Sequence, residues 1–358
     1  MDMHMQRIEK LQNLITERGI DAALITSGEN IRYFSGFTSD ESALLVTKGK
    51  AALFTDFRYL IQAREQMPEE IRLVETSRNN AFAPLKAFVE EYSVASIAFE
   101  AEALTVDRFE SYRPLTGAWK PLGSEISALR LQKGEDEIAS LQRAQDIADR
   151  AYEAFLDRVH PGMTEMEAAA ELNYLGAKFG SEGPSFETIM GSGPNGAMCH
   201  AVPGERKLQN GDLVVVDFGC IKDGYHSDTT RTFGIGKLDP ELVKIYNIVR
   251  EAQQRALDAL KPGMPGAELD RIARDFIAEK GYGPCFGHSL GHGVGLLIHE
   301  SPYASTSSKD LLLPGTTITV EPGIYLEGKG GVRIEDCCVL TEDGFIDLTH
   351  LPKELIIL

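Results

Sequence analysis

The sequence predicts an α/β (α+β) protein of two domains. A small α/β domain spans residues 1–125, and a larger one, spanning 126–358, is built on a pseudo-twofold repeat with a mostly antiparallel sheet. Three observations carry this. Short apolar strands alternate with amphipathic stripes through the first third. The second part repeats itself at a spacing of about one hundred residues, too long for a solenoid. Each repeat holds two apolar runs joined by an Asp-Gly or Gly-rich turn, the signature of a hairpin. At 358 residues the chain can bury two cores.

Along the first domain, Ile8, Leu11, Leu14 and Ile15 form a helical stripe that Gly19 stops. "DAALIT" and "SALLVT" predict short buried strands, and "KAALFTD" follows a Lys-Gly turn as another. A helical pattern over 81–92 and the strand-like "SIAFE" continue the alternation. From "KGEDEIASLQ" onward a long amphipathic helix is predicted, with Ile138, Leu141, Ala148, Tyr152 and Phe155 on one stripe and Gly162 past its end.

The repeat then becomes visible. "HPGMTEMEAAAEL" (160–172) resembles "KPGMPGAELDRIA" (261–273), each a helix end, a Pro-Gly-Met turn and a new helix. "GPSF" (183–186) resembles "GPCF" (283–286). "LQNGDLVVVDFG" (208–219) aligns without gaps on "LLPGTTITVEPG" (312–323), setting Asp217 on Glu321. Three matches in one order predict two related halves around a pseudo-twofold axis.

Acidic residues stand where apolar ones are expected. Asp217 lies inside the strand "DLVVVDFG"; after "KDG" the chain returns through "YHSDTTRTFGI" with Asp228. A two-residue Asp-Gly loop puts these carboxylates on one face of the hairpin, roughly 5–8 Å apart. In the second half "TTITVEPGIYLEGKGGVRIEDCCVL" carries Glu321 and Glu335 about a turn centred on Gly328. A single acid in a strand normally faces solvent or pairs with a cation, and Arg333 is a candidate partner. Four acids in two related apolar hairpins are different: they repel and are poorly solvated unless divalent cations neutralise them. With one imidazole they make an oxygen-rich set suited to two metals bridged by carboxylates.

Composition narrows the class. A net charge of −18 argues against a nucleic-acid surface, and 43% hydrophobic with 25% charged residues is ordinary for a soluble globular protein. No apolar run reaches the roughly 20 residues of a membrane span, and "MDMHMQRIEK" lacks an apolar signal segment. Five cysteines without a C-x-x-C pair suit reduced thiols and a cytoplasmic location.

The motifs "VVVDFG", "SDTTRTF", "GHGVGLLIHE", "TVEPGIY" and "VRIED" resemble, in order, those of the pita-bread metallopeptidases, the family of methionine aminopeptidase, Xaa-Pro aminopeptidase and Xaa-Pro dipeptidase (prolidase). The stretch "RIEKLQNLITERGIDAALITSGENIRYFSGF" resembles the creatinase-type N-domain of the proline-specific branch, which methionine aminopeptidases lack. The resemblance implies a creatinase-like domain over 1–125 and a pita-bread catalytic domain with a curved sheet over 126–358. It also implies Asp217, Asp228, His292, Glu321 and Glu335 as ligands of two divalent metals, Mn²⁺ foremost with Co²⁺ or Zn²⁺ as alternatives. Creatinase shares the fold but not the ligands, which are all present here.

By the same resemblance His200, His288, His299 and Arg333 contact substrate, with His299 steadying the tetrahedral intermediate. Glu321 moves the proton, and Thr230 orients a carboxylate ligand. The implied reaction is hydrolysis of the Xaa-Pro bond in a dipeptide or short peptide with proline second, by a homodimer that uses neither nucleic acid nor membrane. Two other readings are open: a metal-free peptide-binding module on the same fold, and a thiol hydrolase built on Cys199 and His200.

Overall fold

The computed structural model describes residues 2–39, 41–77 and 81–358. It divides the chain into two compact units, Met1–Arg130 and Leu131–Leu358. No helix among the described residues is long and apolar enough to cross a membrane.

In the first unit α1 (Met3–Glu17) precedes β1 (Ala22–Ile25), α2 (Gly28–Ser35), β2 (Ser42–Thr47) and β3 (Ala51–Asp56). Then come α3 (Leu60–Gln66), β4 (Arg72–Thr76), α4 (Phe82–Glu91), β5 (Ser96–Phe99), α5 (Val106–Tyr112), β6 (Ala118–Pro121) and α6 (Gly123–Ser127). The six strands form one sheet in the order β4-β3-β2-β1-β5-β6. β1–β2 and β2–β3 are antiparallel, while the outer pairings are parallel. β1 and β2 are buried along their whole length, which is why they read as continuous apolar runs rather than as alternation. Asp2 caps α1 by accepting from the His4 amide at 2.8 Å, and Ile8, Leu11 and Ile15 are its buried stripe, with Leu14 half-buried.

In the second unit α7 (Glu135–Leu156) and α8 (Glu165–Lys178) precede β7 (Ile189–Ser192), β8 (Leu213–Phe218), β9 (Ile221–Lys222), β10 (Tyr225–His226) and β11 (Thr229–Gly234). The second half follows with α9 (Pro240–Ala259), β12 (Met264–Pro265), α10 (Gly266–Glu279), β13 (Gly291–Gly293), β14 (Glu300–Ala304) and β15 (Leu311–Leu312). It closes with β16 (Thr317–Val320), β17 (Gly323–Leu326), β18 (Gly330–Arg333), β19 (Asp336–Leu340) and β20 (Phe345–Asp347). The named strands of this unit pair antiparallel. Leu141, Ala148, Tyr152 and Phe155 of α7 are buried as expected, but Ile138 is only half-buried. Glu137 takes the inward place, accepting from the Tyr225 hydroxyl at 2.8 Å and from the Gly134 amide at 3.1 Å.

Registers establish the internal symmetry. Shifted by 104 positions, Leu213–Val216 becomes Thr317–Val320; shifted by 105, their partners Arg231–Gly234 become Asp336–Val339, with every cross-strand pair preserved. Turn bonds repeat too. Gly162 donates to the Leu208 carbonyl at 2.9 Å and Gly263 to that of Leu312 at 2.7 Å; Glu165 donates to Arg206 at 3.0 Å and Gly266 to Asp310 at 2.9 Å. Each half packs its helix pair on its own strands, with α7 and α8 on Val214, Val216 and Phe233, and α9 and α10 on Ile318, Val320 and Cys338.

Candidate metal centre

Turn chemistry sets the first acid pair. Asp223 and Gly224 both adopt positive φ (51° and 73°), the two-residue loop that matches strand twist. It puts Lys222 opposite Tyr225 and Asp217 opposite Thr230, so Asp228, just before β11, is a diagonal neighbour of Asp217. In the second half Val320 lies opposite Asp336 and Gly323 opposite Arg333, registers that set Glu321 against Glu335. The two acid pairs are therefore not copies. The symmetry carries Asp217 onto Glu321, but Thr230 onto Glu335 and Asp228 onto Arg333.

The departure from strict symmetry gives two of the four acids a partner. Thr230 donates its hydroxyl to Glu335 at 2.7 Å, and the Arg333 guanidinium meets Asp217 at 2.5 Å. Arg333 also donates to the Thr230 hydroxyl at 3.0 Å, the Tyr325 hydroxyl at 2.7 Å and the Cys199 carbonyl at 3.0 Å.

Oxygens of Asp217, Asp228 and Glu335 lie within 4.8 Å of one another, and His292 Nε2 is 3.5 Å from Asp228 and 3.4 Å from Glu321. His292 Nδ1 is 3.0 Å from the Gly293 carbonyl, so a proton there leaves Nε2 with a free lone pair toward the acids. Gly291 permits this approach, because a Cβ there would stand 1.8 Å from the Thr319 carbonyl oxygen.

The electrostatics are those of a site short of positive charge. Burial, then Glu335, Asp217 and Glu321, hold Asp228 well above the usual carboxylate range. Burial, then Glu321 and Asp217, do the same to Glu335. Glu321 is pushed up to about 8, by burial foremost. Burial, with the His299 ring beside it, lowers His292 to about 4. Asp217 Oδ1 is buried with no hydrogen-bond partner among the described residues. An orphaned carboxylate oxygen, a bare imidazole nitrogen and three acids that burial makes hard to ionise all fit divalent cations in an oxygen-rich set.

A cleft of about 470 Å³ opens over these groups. His200, Asp217, Asp228, His288, His292, His299, Glu321, Arg333 and Glu335 all line it; Thr230 stands behind, fully buried. The His292 and His299 ring centres are 4.4 Å apart. His288 Nε2 is 2.9 Å from the Tyr325 hydroxyl, and burial foremost lowers it to about 4, so it is neutral at pH 7. Cys199 gives its carbonyl to Arg333, and among the described residues its thiol has no hydrogen bond to His200. The cysteine–histidine reading finds no support.

Two buried acids that the sequence reading passed over hold the histidine segments. Glu165, at the start of α8, accepts from the Ser192 amide (2.8 Å) and hydroxyl (2.6 Å), the Asn195 side chain (3.1 Å) and the Gly204 amide (3.1 Å), anchoring the segment that bears His200. Asp270 of α10 accepts from the Leu290 amide at 3.1 Å and pairs with Arg274, which donates to the Phe286 and His288 carbonyls. A further wall is formed by Phe186–Thr188. Ser185 donates to Gly219 while Ile189 lies opposite Asp217, so four residue steps face two and the extra chain bulges into the cleft. Only the Gly-Pro turn before it hints at such a feature.

The model of metallopeptidase family M24 matches residues 139–342, and that of the creatinase/prolidase N-terminal domain matches residues 7–132. An Xaa-Pro dipeptidase of Pyrococcus furiosus is 37% identical over 98% of this chain and 99% of its own. Among solved structures, an Xaa-Pro dipeptidase from Bacillus anthracis superposes with a TM-score of 0.95 at 40% identity, covering 99% of this chain and 100% of that one. An X-Pro aminopeptidase from Thermotoga maritima gives 0.91 at 39% identity, covering 96% and 99%. With its creatinase-type domain followed by a pita-bread domain, the chain belongs to metallopeptidase family M24 and is a metal-dependent peptidase.

Proposed function

We propose that this peptidase releases the N-terminal residue from Xaa-Pro dipeptides and short Xaa-Pro peptides, using two divalent cations held by Asp217, Asp228, His292, Glu321 and Glu335. The observation that carries the reading is the convergence of these five groups in one cleft around an orphaned Asp217 oxygen. Relatives named for Xaa-Pro dipeptidase and X-Pro aminopeptidase activity, similar over nearly the whole chain, support the substrate class.

When bound, the cations neutralise the acids, polarise the scissile carbonyl and supply a water of lowered pKa. Glu321 accepts the proton of that water and passes it to the leaving nitrogen. The transfer is needed because the proline imide has no N–H before cleavage. His299, neutral near pH 7 because burial lowers its pKa, donates toward the carbonyl oxygen as negative charge develops there. His200 and His288 contact the substrate from the cleft walls, and Arg333 both holds Asp217 and reaches substrate. Thr230 fixes the Glu335 carboxylate by its hydroxyl. We further assign Mn²⁺ as the working metal, a homodimer as the assembly and the cytoplasm as the location; the oxygen-rich ligand set supports the first and five free cysteines the last.

The test is an assay with added Mn²⁺ of an Xaa-Pro dipeptide, an Xaa-Pro-Yaa tripeptide and a Met-Ala peptide, alongside the metal content of the purified protein. Hydrolysis of one or both proline substrates is expected. Cleavage of the methionine peptide alone, or no metal uptake, overturns the reading.

A further inference from the structure

His299 sits at the end of a loop, Val294–His299, that leaves β13 and returns into β14. The base of the loop is the cross-strand pair Gly293–Glu300, placed after a register shift at His292. Its stem is held from one side, where the Thr317 hydroxyl bonds both the amide (2.8 Å) and the carbonyl (2.6 Å) of Val294, and at Gly295, whose carbonyl accepts from the His226 amide at 2.9 Å. The returning limb is tied at Leu297, whose carbonyl accepts from the Gly295 amide at 2.9 Å, and at Ile298, whose backbone bonds the His292 ring, but neither bond holds His299 itself.

Glu300 supplies that hold from inside. Its carboxylate folds back over Gly295 so closely that a Cβ there would stand 2.2 Å from Oε1; only glycine leaves room for it. The carboxylate pairs with the Lys133 ammonium at 2.5 Å, with the lysine side chain 1% and the glutamate side chain 10% exposed. Lys133 is itself pinned, for its amide donates to the Gly315 carbonyl at 2.7 Å and its ammonium to that of Leu131 at 3.1 Å. An ion pair this dry holds its geometry tightly, since separating the partners strands a charge away from water.

We propose that the Lys133–Glu300 pair is a clamp that positions His299 over the cleft, and so controls turnover rather than metal binding, in the hydrolysis proposed above, on which this inference rests. Lys133 does not line the cleft and, among the described residues, pairs with none of the four acids there, so it is a positioning residue. Its effect passes through Glu300 to the neighbouring His299.

The experiment is a double-mutant cycle on Mn²⁺-loaded enzyme with Lys133→Met, His299→Ala and their combination. We expect Lys133→Met to lower kcat on the order of 10- to 100-fold, the scale of a misplaced catalytic group, with KM and the Mn²⁺ binding isotherm unchanged. In the His299→Ala background the same change should alter kcat by less than about twofold, because the group it positions is gone. Equal losses in both backgrounds, or a loss that tracks weaker Mn²⁺ binding, overturn the clamp. If circular dichroism shows that Lys133→Met does not fold, Glu300→Gln takes its place in the cycle with the same outcomes. Wild-type enzyme inactive on every Xaa-Pro substrate would instead defeat the functional reading itself.

Discussion

Three histidines within fourteen residues, 287–300, meet the cleft in three ways. His292 presents a bare nitrogen to Asp228 and Glu321, His299 stands against its ring, and His288 meets Tyr325. His292→Ala should therefore weaken Mn²⁺ binding by about 100-fold or more, read by calorimetry. His299→Ala should bind Mn²⁺ normally and lose about 100- to 1,000-fold in kcat. The acids add a pH signature to the metal-free protein. Glu321 is raised from 4.5 to about 8, with Asp228 and Glu335 also raised, so the folded state holds protons that the unfolded chain releases. That stability is full below the unfolded value and is lost as pH rises through the folded one. His292 and His288, lowered from 6.5 to about 4, act the other way, their contribution being complete above 6.5 and lost as pH falls toward 4. Between about 6.5 and 8 Glu321 loses its proton, as does Asp347, which burial raises to about 7 away from the cleft, so metal-free protein should melt at progressively lower temperature across that window, and Mn²⁺ should remove the part of the slope that Glu321 contributes.

At the scale of elements, the site is two hairpins steadied by two helices. Glu165→Ala would leave the Ser192, Asn195 and Gly204 donors of a buried segment unpaired and should cost about 2–4 kcal/mol in urea unfolding. Gly291→Ala would drive a methyl against the Thr319 carbonyl and should cost about 1–3 kcal/mol while displacing His292, seen as weaker Mn²⁺ binding. The hairpins were legible in sequence because turn chemistry fixes register: Asp223-Gly224 and the Gly328 turn give the pairings observed. The exchange of Thr230 and Asp228 for Glu335 and Arg333 was not legible, since it depends on which diagonal of a pair is used. Glu165 and Asp270 were missed because an acid on a helix ordinarily faces water; both are wholly buried by the segments they hold. Helix α2, with Asn30 and Ser35 among its buried residues, hid its inner face behind polar side chains. Edge strands β4 and β6, half-exposed, lack the apolar run that announced β1 and β2.

For the whole molecule, the metal is expected to be structural as well as functional. A chelator should abolish hydrolysis and lower the melting temperature, and added Mn²⁺ should restore both. Stability gained on refilling should be larger at pH 8 than at pH 6.5, for the reason given by the acids. The register symmetry has a consequence for assembly. Two identical half-chains assembled as a symmetric pair would place the same side chain at both related positions, an acid twice or a guanidinium twice. The centre instead has Asp228 at one and Arg333 at the other, and Thr230 facing Glu335. Such a centre requires two halves that differ in sequence, a freedom that carrying both on one chain supplies.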